Sequence, residues 1–122
     1  MGRLRVLVVE DDSSLRRVIR AGLEADGLEV IEVDGCAAAL KAVEGDDIAG
    51  VILDLKLPDG SGWGVLRTLR SSPLRQLPVV IISAEPPDVA RIDALHPQGY
   101  LRKPFDVRAL VSQVRAVLAD GR

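Results

Sequence analysis

Two uninterrupted apolar runs, at residues 6–9 and 79–82, constrain the fold of this chain most strongly. A strand with one face in water alternates apolar and polar residues, whereas a continuous apolar run is typical of a strand covered on both faces. Segments with apolar residues at helical spacing lie between the runs. This alternation predicts an α/β fold, with a doubly wound parallel sheet and helices on both faces.

We predict five strands separated by helices, and the strands lie at residues 3–9, 28–33, 49–55, 79–82 and 99–103. Glu29 and Glu32 interrupt the second strand, which favours a place at the edge of the sheet. With right-handed crossovers, that edge position suggests the order 2-1-3-4-5. The chain has 122 residues, which fits a single domain over residues 1–122 with a core at about 3–118.

The helices differ in how clearly the sequence marks them. In the first, helical spacing predicts an inward stripe of Leu15, Val18, Ile19 and Leu23. The last has the most regular apolar face, made of Val107, Leu110, Val111, Val114, Val117 and Leu118. Prolines at positions 86, 87 and 97 bracket the fourth. We therefore predict that the fourth helix is short or irregular, at about residues 89–95.

Composition argues against several classes of function. No apolar run is long enough to cross a bilayer, so we expect a cytoplasmic protein without membrane insertion. The net charge is −2, and the only aromatic residues are Trp63, Tyr100 and Phe105. Nucleic-acid binding usually needs a basic surface or a set of stacking aromatics, so we expect no direct contact with nucleic acid.

Asp54 is the polar residue that most needs an explanation. It comes at the end of an apolar run, and Pro58 and Gly60 turn the chain shortly afterwards. Two interpretations are open. Asp54 is either a strand-end residue that serves the turn, or a functional carboxylate that projects into a crevice at the carboxyl edge of the sheet. The choice depends on which other charged groups reach that edge.

In the predicted order, the end of strand one lies beside the end of strand three. Glu10 and Asp11 would then meet Asp54, and close carboxylates repel one another unless a cation neutralises them. Mg²⁺ suits such an oxygen-only set of ligands. Ser83 ends strand four and Lys103 ends strand five, so a hydroxyl and an ammonium reach the same edge. These groups suit phosphoryl transfer to a carboxylate.

Four motifs carry a resemblance to a known family, and they lie at residues 8–12 (VVEDD), 53–60 (LDLKLPDG), 82–84 (ISA) and 100–105 (YLRKPF). In this order and spacing they make the chain similar to the receiver domain of a two-component response regulator, the CheY-like family. The resemblance runs from about Arg3 to Leu118. It implies that Asp54 accepts a phosphoryl group from a phosphohistidine on a histidine kinase or a histidine phosphotransfer protein.

The resemblance also implies a set of metal ligands and one backbone feature. Asp11 would bind Mg²⁺ directly, and Glu10 would bind it through a metal-bound water. Asp54 and the backbone carbonyl of Lys56 would complete the protein ligands. The peptide bond before Pro104 would be cis, as this family usually has it, and cis bonds are largely a proline feature.

The same resemblance assigns residues that would hold the phosphoryl group or respond to it. Ser83 and Lys103 would each contact a phosphoryl oxygen. Tyr100 would be an aromatic switch residue, with a half-buried strand aromatic as the simpler alternative. Lys56 and Glu85 lie two residues after Asp54 and Ser83, so both should rim the crevice. We hypothesise that they form an ion pair that slows hydrolysis; the alternative is two unrelated surface charges.

Three functions compete at this point. The first is a signalling receiver that is not an enzyme, with weak self-phosphorylation and autodephosphorylation and with a downstream effector or fused output domain as partner. The second is a degenerate receiver that acts as a constitutive protein-interaction adaptor. The third is a Mg²⁺-dependent aspartyl phosphatase, which usually has a second Asp two residues after its nucleophile. Lys56 occupies that position here, which counts against the phosphatase.

Overall fold

A computed structural model of the protein describes residues 2–45 and 47–120, apart from the side chain of Asp120. The predicted domain limits at residues 1 and 122 lie outside the described residues. Within the described part the strands are β1 (Arg5–Val9), β2 (Glu29–Val33), β3 (Gly50–Asp54), β4 (Lys56–Leu57), β5 (Gly60–Ser61), β6 (Val79–Ser83) and β7 (Gly99–Arg102). Five of them form a parallel sheet in the order β2-β1-β3-β6-β7. Among these five strands, the predicted order 2-1-3-4-5 is confirmed, with β6 and β7 as the fourth and fifth strands. The short strands β4 and β5 form a separate hairpin, which the sequence did not predict.

The helices of the described residues are α1 (Ser13–Ala25), α2 (Cys36–Gly45), α3 (Gly62–Arg70), α4 (Val89–Leu95) and α5 (Val107–Asp120). The short fourth helix is confirmed at its predicted position. It ends at His96, whose left-handed backbone stops the helix. Among the described residues, no helix has the length and hydropathy that a membrane span requires.

Helices cover both faces of the sheet, as the continuous apolar runs predict. On one face, α1 and α5 bury Ile19, Leu23, Leu110, Val114 and Leu118. On the other face, α2, α3 and α4 bury Ala39, Val43, Val65, Leu66 and Leu95. Burying one such aliphatic side chain contributes about 1.5–3 kcal/mol, so the core holds the strands of the parallel sheet in register. The carboxyl ends of the strands are therefore held in one place.

One helix residue departs from the predicted pattern. Val18 was assigned to the inward stripe of α1, but its exposed fraction is 52%. The helix buries a narrower stripe, in which Ile19 and Leu23 are spaced by four residues. Val18 precedes Ile19 by one residue, about 100° around the helix, and it faces solvent.

Charged residues neutralise one another along the edge strand β2. Glu29 accepts a hydrogen bond from Arg5, with 3.0 Å between its Oε1 and the arginine Nε. Glu32 is paired with Arg16 and Arg20 of α1. Because of these bonds, the pKa of Glu32 lies below its usual value; the hydrogen bond from Arg20 is the largest cause, and burial opposes it. Glu29 is thus paired with a residue of the neighbouring strand β1, and Glu32 with two residues of α1.

Candidate functional site

Three carboxylates meet where β1 and β3 end. Glu10 and Asp11 directly follow β1, and Asp54 is the last residue of β3, which pairs with β1 in parallel register. One carboxylate oxygen of each residue lies within 4.8 Å of those of the other two. Glu10 and Asp54 are buried, whereas Asp11 is exposed. The strand order thus produces the predicted acidic cluster.

Lys103 compensates the charge of the two buried acids. Its Nζ lies 2.7 Å from Glu10 Oε1 and 3.1 Å from Asp54 Oδ2. Burial lowers the pKa of Lys103, but the hydrogen bonds and charges of Glu10 and Asp54 outweigh it, so the pKa is raised overall. The ammonium therefore stays protonated at neutral pH. The peptide bond between Lys103 and Pro104 is cis, as the resemblance implied.

The Asp54 carboxylate is oriented from both sides. One oxygen faces Lys103, and the other accepts a long hydrogen bond from the Lys56 backbone N–H, at 3.4 Å. Behind it, Gly62 donates its N–H to the Leu55 carbonyl at 2.8 Å, which brings the start of α3 against the end of β3. A Cβ at position 62 would lie 2.3 Å from the Asp54 carbonyl oxygen, so only glycine fits there. The sequence alone does not indicate this close approach.

Two neighbouring aspartates serve helix ends and do not join the cluster. Asp12 is the N-cap of α1 and accepts hydrogen bonds from two backbone N–H groups of the first turn. Asp59 accepts from the backbone N–H groups of Cys36 and Ala37, at 2.7 and 3.0 Å, at the start of α2. These bonds, with the one from Ala37 largest, hold the pKa of Asp59 below its usual value. The bonds of Asp59 join residues more than 20 positions apart in the sequence, and no local motif indicates them.

Ser83 and Tyr100 are connected through the backbone of Glu85. The buried Ser83 hydroxyl accepts a hydrogen bond from the Glu85 N–H at 3.0 Å, which leaves its own proton free to be donated. The Tyr100 hydroxyl donates to the Glu85 carbonyl at 2.8 Å. The Tyr100 ring is half-buried against the core. One residue of the β6–α4 loop therefore joins the site hydroxyl to the only tyrosine in the sequence.

The two charges assigned to the rim face each other across the site. Lys56 Nζ lies 3.8 Å from Glu85 Oε1, and the side chains are 83% and 56% exposed. Exposed pairs of this kind contribute less than about 1 kcal/mol to stability. Any function of the pair therefore depends on where it lies and not on the strength of the contact.

The sequence profile of the response regulator receiver domain matches residues 6–115 of this chain. The chain therefore belongs to the response regulator receiver domain family. Among similar proteins, the KDP operon transcriptional regulatory protein KdpE of Escherichia coli is 38% identical over 117 residues, which are 93% of this chain and 50% of KdpE. The response regulator protein PmrA of Pseudomonas aeruginosa is 38% identical over 116 residues, which are 93% of this chain and 52% of PmrA. This receiver domain thus spans about half the length of the curated relatives that it matches.

Solved structures of receiver domains have the same fold. A CheY-like receiver domain protein from Methanospirillum hungatei superimposes with a TM-score of 0.91 at 20% identity, covering 98% of this chain and 97% of that one. The non-phosphorylated HemR receiver domain of Leptospira biflexa gives a TM-score of 0.88 at 25% identity, covering 96% and 95%. The likeness of fold thus covers nearly the whole chain.

Proposed function

We propose that this receiver domain accepts a phosphoryl group on Asp54 from a phosphohistidine of a histidine kinase or a histidine phosphotransfer protein. The observation that carries the proposal is the position of the buried Asp54 in the acidic cluster, with the Lys103 ammonium 3.1 Å from one of its oxygens. An aspartate that only served the turn would not need an ammonium group at this distance. The proposal describes a signalling switch with weak phosphorylation chemistry and not a turnover enzyme.

In the proposed step, an Asp54 carboxylate oxygen forms a bond to phosphorus while the bond from phosphorus to the histidine nitrogen breaks. The nitrogen takes the electron pair of the broken bond, and the ring, which carries a proton on its other nitrogen, leaves as neutral imidazole. Charge on the phosphoryl oxygens must be neutralised as the group moves. Lys103 can pair with one of these oxygens, and the free proton of the Ser83 hydroxyl can be donated to another.

The carboxylates of Glu10, Asp11 and Asp54 fit a hard divalent cation, because they offer only oxygen ligands within 4.8 Å of one another. We assign Asp11 and Asp54 as direct Mg²⁺ ligands, with Glu10 acting through a bound water and the Lys56 carbonyl as a further ligand. When bound, Mg²⁺ supplies charge neutralisation for the phosphoryl oxygens. Asp11 is the exposed member of the set, so a cation can reach the site from solvent on its side.

The switch follows from the bonds around Glu85. If the Ser83 hydroxyl turns towards a phosphoryl oxygen, it weakens its bond to the Glu85 N–H, and the β6–α4 loop is released. Tyr100 is bonded to the carbonyl of that same residue, so movement of the loop changes the position of its ring. The face of α4 and β7 would then differ between the two states, which provides a signal for a partner.

Mg²⁺-dependent labelling by a small acyl phosphate tests the proposed function. We expect the wild-type chain to gain one phosphoryl group per molecule with Mg²⁺, and none when the cation is removed by EDTA. Intact-mass spectrometry measures the gain. A constitutive adaptor would take no label under either condition, and a phosphatase would release phosphate continuously without holding a stable label. Either result would contradict the proposal.

The rim pair is expected to slow loss of the phosphoryl group. Removing either partner, in Lys56→Ala or Glu85→Ala, should open the crevice to water and shorten the phosphoryl half-life by about threefold, since less than about 1 kcal/mol is at stake. The decay of the labelled protein after removal of the donor measures the half-life. The double variant should decay no faster than the faster single variant. Unchanged hydrolysis in both single variants would dispose of the idea.

The relatives suggest the kind of partner that receives the signal. KdpE is described as a transcriptional regulatory protein, and this chain matches half of it. We propose that the phosphorylated receiver acts on a downstream effector or on a fused output domain. The absence of direct contact between the receiver itself and nucleic acid remains a prediction.

A further inference from the structure

Arg16 of α1 bridges Glu32 of the edge strand β2 and the backbone of Glu10 in the acidic cluster. Its Nη1 donates a hydrogen bond to the Glu10 carbonyl oxygen at 2.7 Å, and its Nε donates to Glu32 Oε1 at 3.0 Å. The side chains of Arg16 and Glu32 are 21% and 25% exposed, so the bridge lies partly out of water. Arg16 touches none of the three carboxylates of the cluster in the bonds described.

The Glu10 carbonyl belongs to the peptide bond that leads into Asp11. The N–H of Glu10 donates to the Val33 carbonyl at 3.1 Å, which continues the pairing of β1 with β2 by one residue. Its carboxylate is held by the Asp12 N–H at 3.0 Å and by Lys103. The carbonyl is the remaining polar group of Glu10, and Arg16 holds it. Because a peptide unit is planar, fixing this carbonyl fixes the direction in which the chain enters Asp11.

We propose that Arg16 is a positioning residue for the metal site, which holds the Glu10–Asp11 peptide in the orientation that lets Asp11 bind Mg²⁺. The inference rests on the proposed function, since it assigns a role towards the cation of that site. Asp11 needs this help because it is exposed, whereas Glu10 and Asp54 are fixed by burial.

The bridge from Glu32 to the Glu10 carbonyl requires a side chain with two donors at a fixed angle, as in the planar guanidinium. Arginine can donate to a carbonyl and to a carboxylate from two nitrogens held in fixed geometry, whereas a lysine ammonium is a point charge. Glu32 holds the Arg16 guanidinium in its orientation by accepting a hydrogen bond from Nε. Arg20 binds the other carboxylate oxygen of Glu32. Arg20 therefore offers a matched comparison, since it shares the helix and the glutamate of Arg16, and its described bonds are to Glu24 and Glu32.

Calorimetric titration with MgCl₂ tests this role directly. We expect Arg16→Met to weaken Mg²⁺ binding by about tenfold, the lower end of the range for residues that orient metal ligands. Arg16→Lys keeps the charge but loses the fork, and should weaken binding by about threefold. Arg20→Met should bind Mg²⁺ within about twofold of the wild type, although it loses a bond to the same glutamate. Thermal unfolding of all three variants without Mg²⁺ separates stability from affinity.

Each result other than the expected one is decisive. If the Arg16 variants bind Mg²⁺ as tightly as the wild type, the positioning role is wrong and the proposed function stands. If Arg20→Met weakens binding as much as Arg16→Met, the effect is general loosening of α1 and the role is again wrong. If the wild type shows no saturable Mg²⁺ binding, both the proposed function and the inference fail. Arg16→Lys keeps the test valid if Arg16→Met does not fold.

Discussion

Asp54→Asn is expected to abolish phosphorylation of this receiver domain completely. The amide nitrogen that replaces one oxygen has no lone pair comparable to that of a carboxylate, and the remaining carbonyl oxygen is a weak nucleophile. The substitution also removes one of the three acids that make up the cluster. Intact-mass spectrometry after incubation with a small acyl phosphate and Mg²⁺ should show one phosphoryl group on the wild type and none on the variant.

An aspartate outside the site provides the control for this loss. Asp93 is exposed on α4, and Asp93→Asn should be labelled to the same extent as the wild type. Circular dichroism of Asp54→Asn should match the wild type, because the shape of the side chain is kept. Stoichiometric labelling of Asp54→Asn would mean that another residue accepts the phosphoryl group, and it would remove the basis of the proposed mechanism.

Gly62→Ala is expected to lower the free energy of unfolding by about 3 kcal/mol, at the upper end of the range for overpacked sites. The added methyl group would lie 2.3 Å from the Asp54 carbonyl oxygen and 2.9 Å from Leu55 Cα. These are backbone atoms at the end of a fully buried strand, so no side chain can rotate away to make room. Chemical denaturation followed by circular dichroism measures the loss.

Gly64, two residues further along α3, has the opposite surroundings. Nothing lies within 4 Å of a Cβ built at that position. Gly64→Ala should therefore raise the free energy of unfolding by up to about 1 kcal/mol, through helix propensity alone. Equal stability of Gly62→Ala and Gly64→Ala would show that α3 can move away from β3, and that the close approach at Asp54 is not a fixed feature of the fold.

The parts of the fold that follow from local patterns were predictable from the sequence. Continuous apolar runs marked the buried strands, and Glu29 and Glu32 marked the edge strand. Together with right-handed crossovers, these signals suggested the strand order that the structure has. That order brings Glu10, Asp11 and Asp54 together, so the acidic cluster followed from the topology. The prolines around α4 predicted its short length, because they limit the residues that can form a helix.

Contacts between residues distant in the chain were not predictable in this way. Val18 has the spacing of a core residue, yet helical spacing does not show how wide a stripe the neighbouring elements cover. Asp59 caps α2 although 22 residues separate it from Ala37, and no local motif indicates that pairing. Arg16 resembles an ordinary helix-surface arginine until its distance to the Glu10 carbonyl is known. Gly62 differs from Gly64 only in the backbone that lies behind it.

Chemical identification of the acceptor residue tests the central claim most directly. Borohydride reduces an aspartyl phosphate to homoserine, so the labelled wild-type protein can be reduced, digested and sequenced by tandem mass spectrometry. We predict homoserine at position 54, formed only when both the acyl phosphate and Mg²⁺ were present. Homoserine at Asp11 or Asp59, or a phosphoryl group retained on a serine or histidine, would contradict the assignment of Asp54 as the phosphoacceptor.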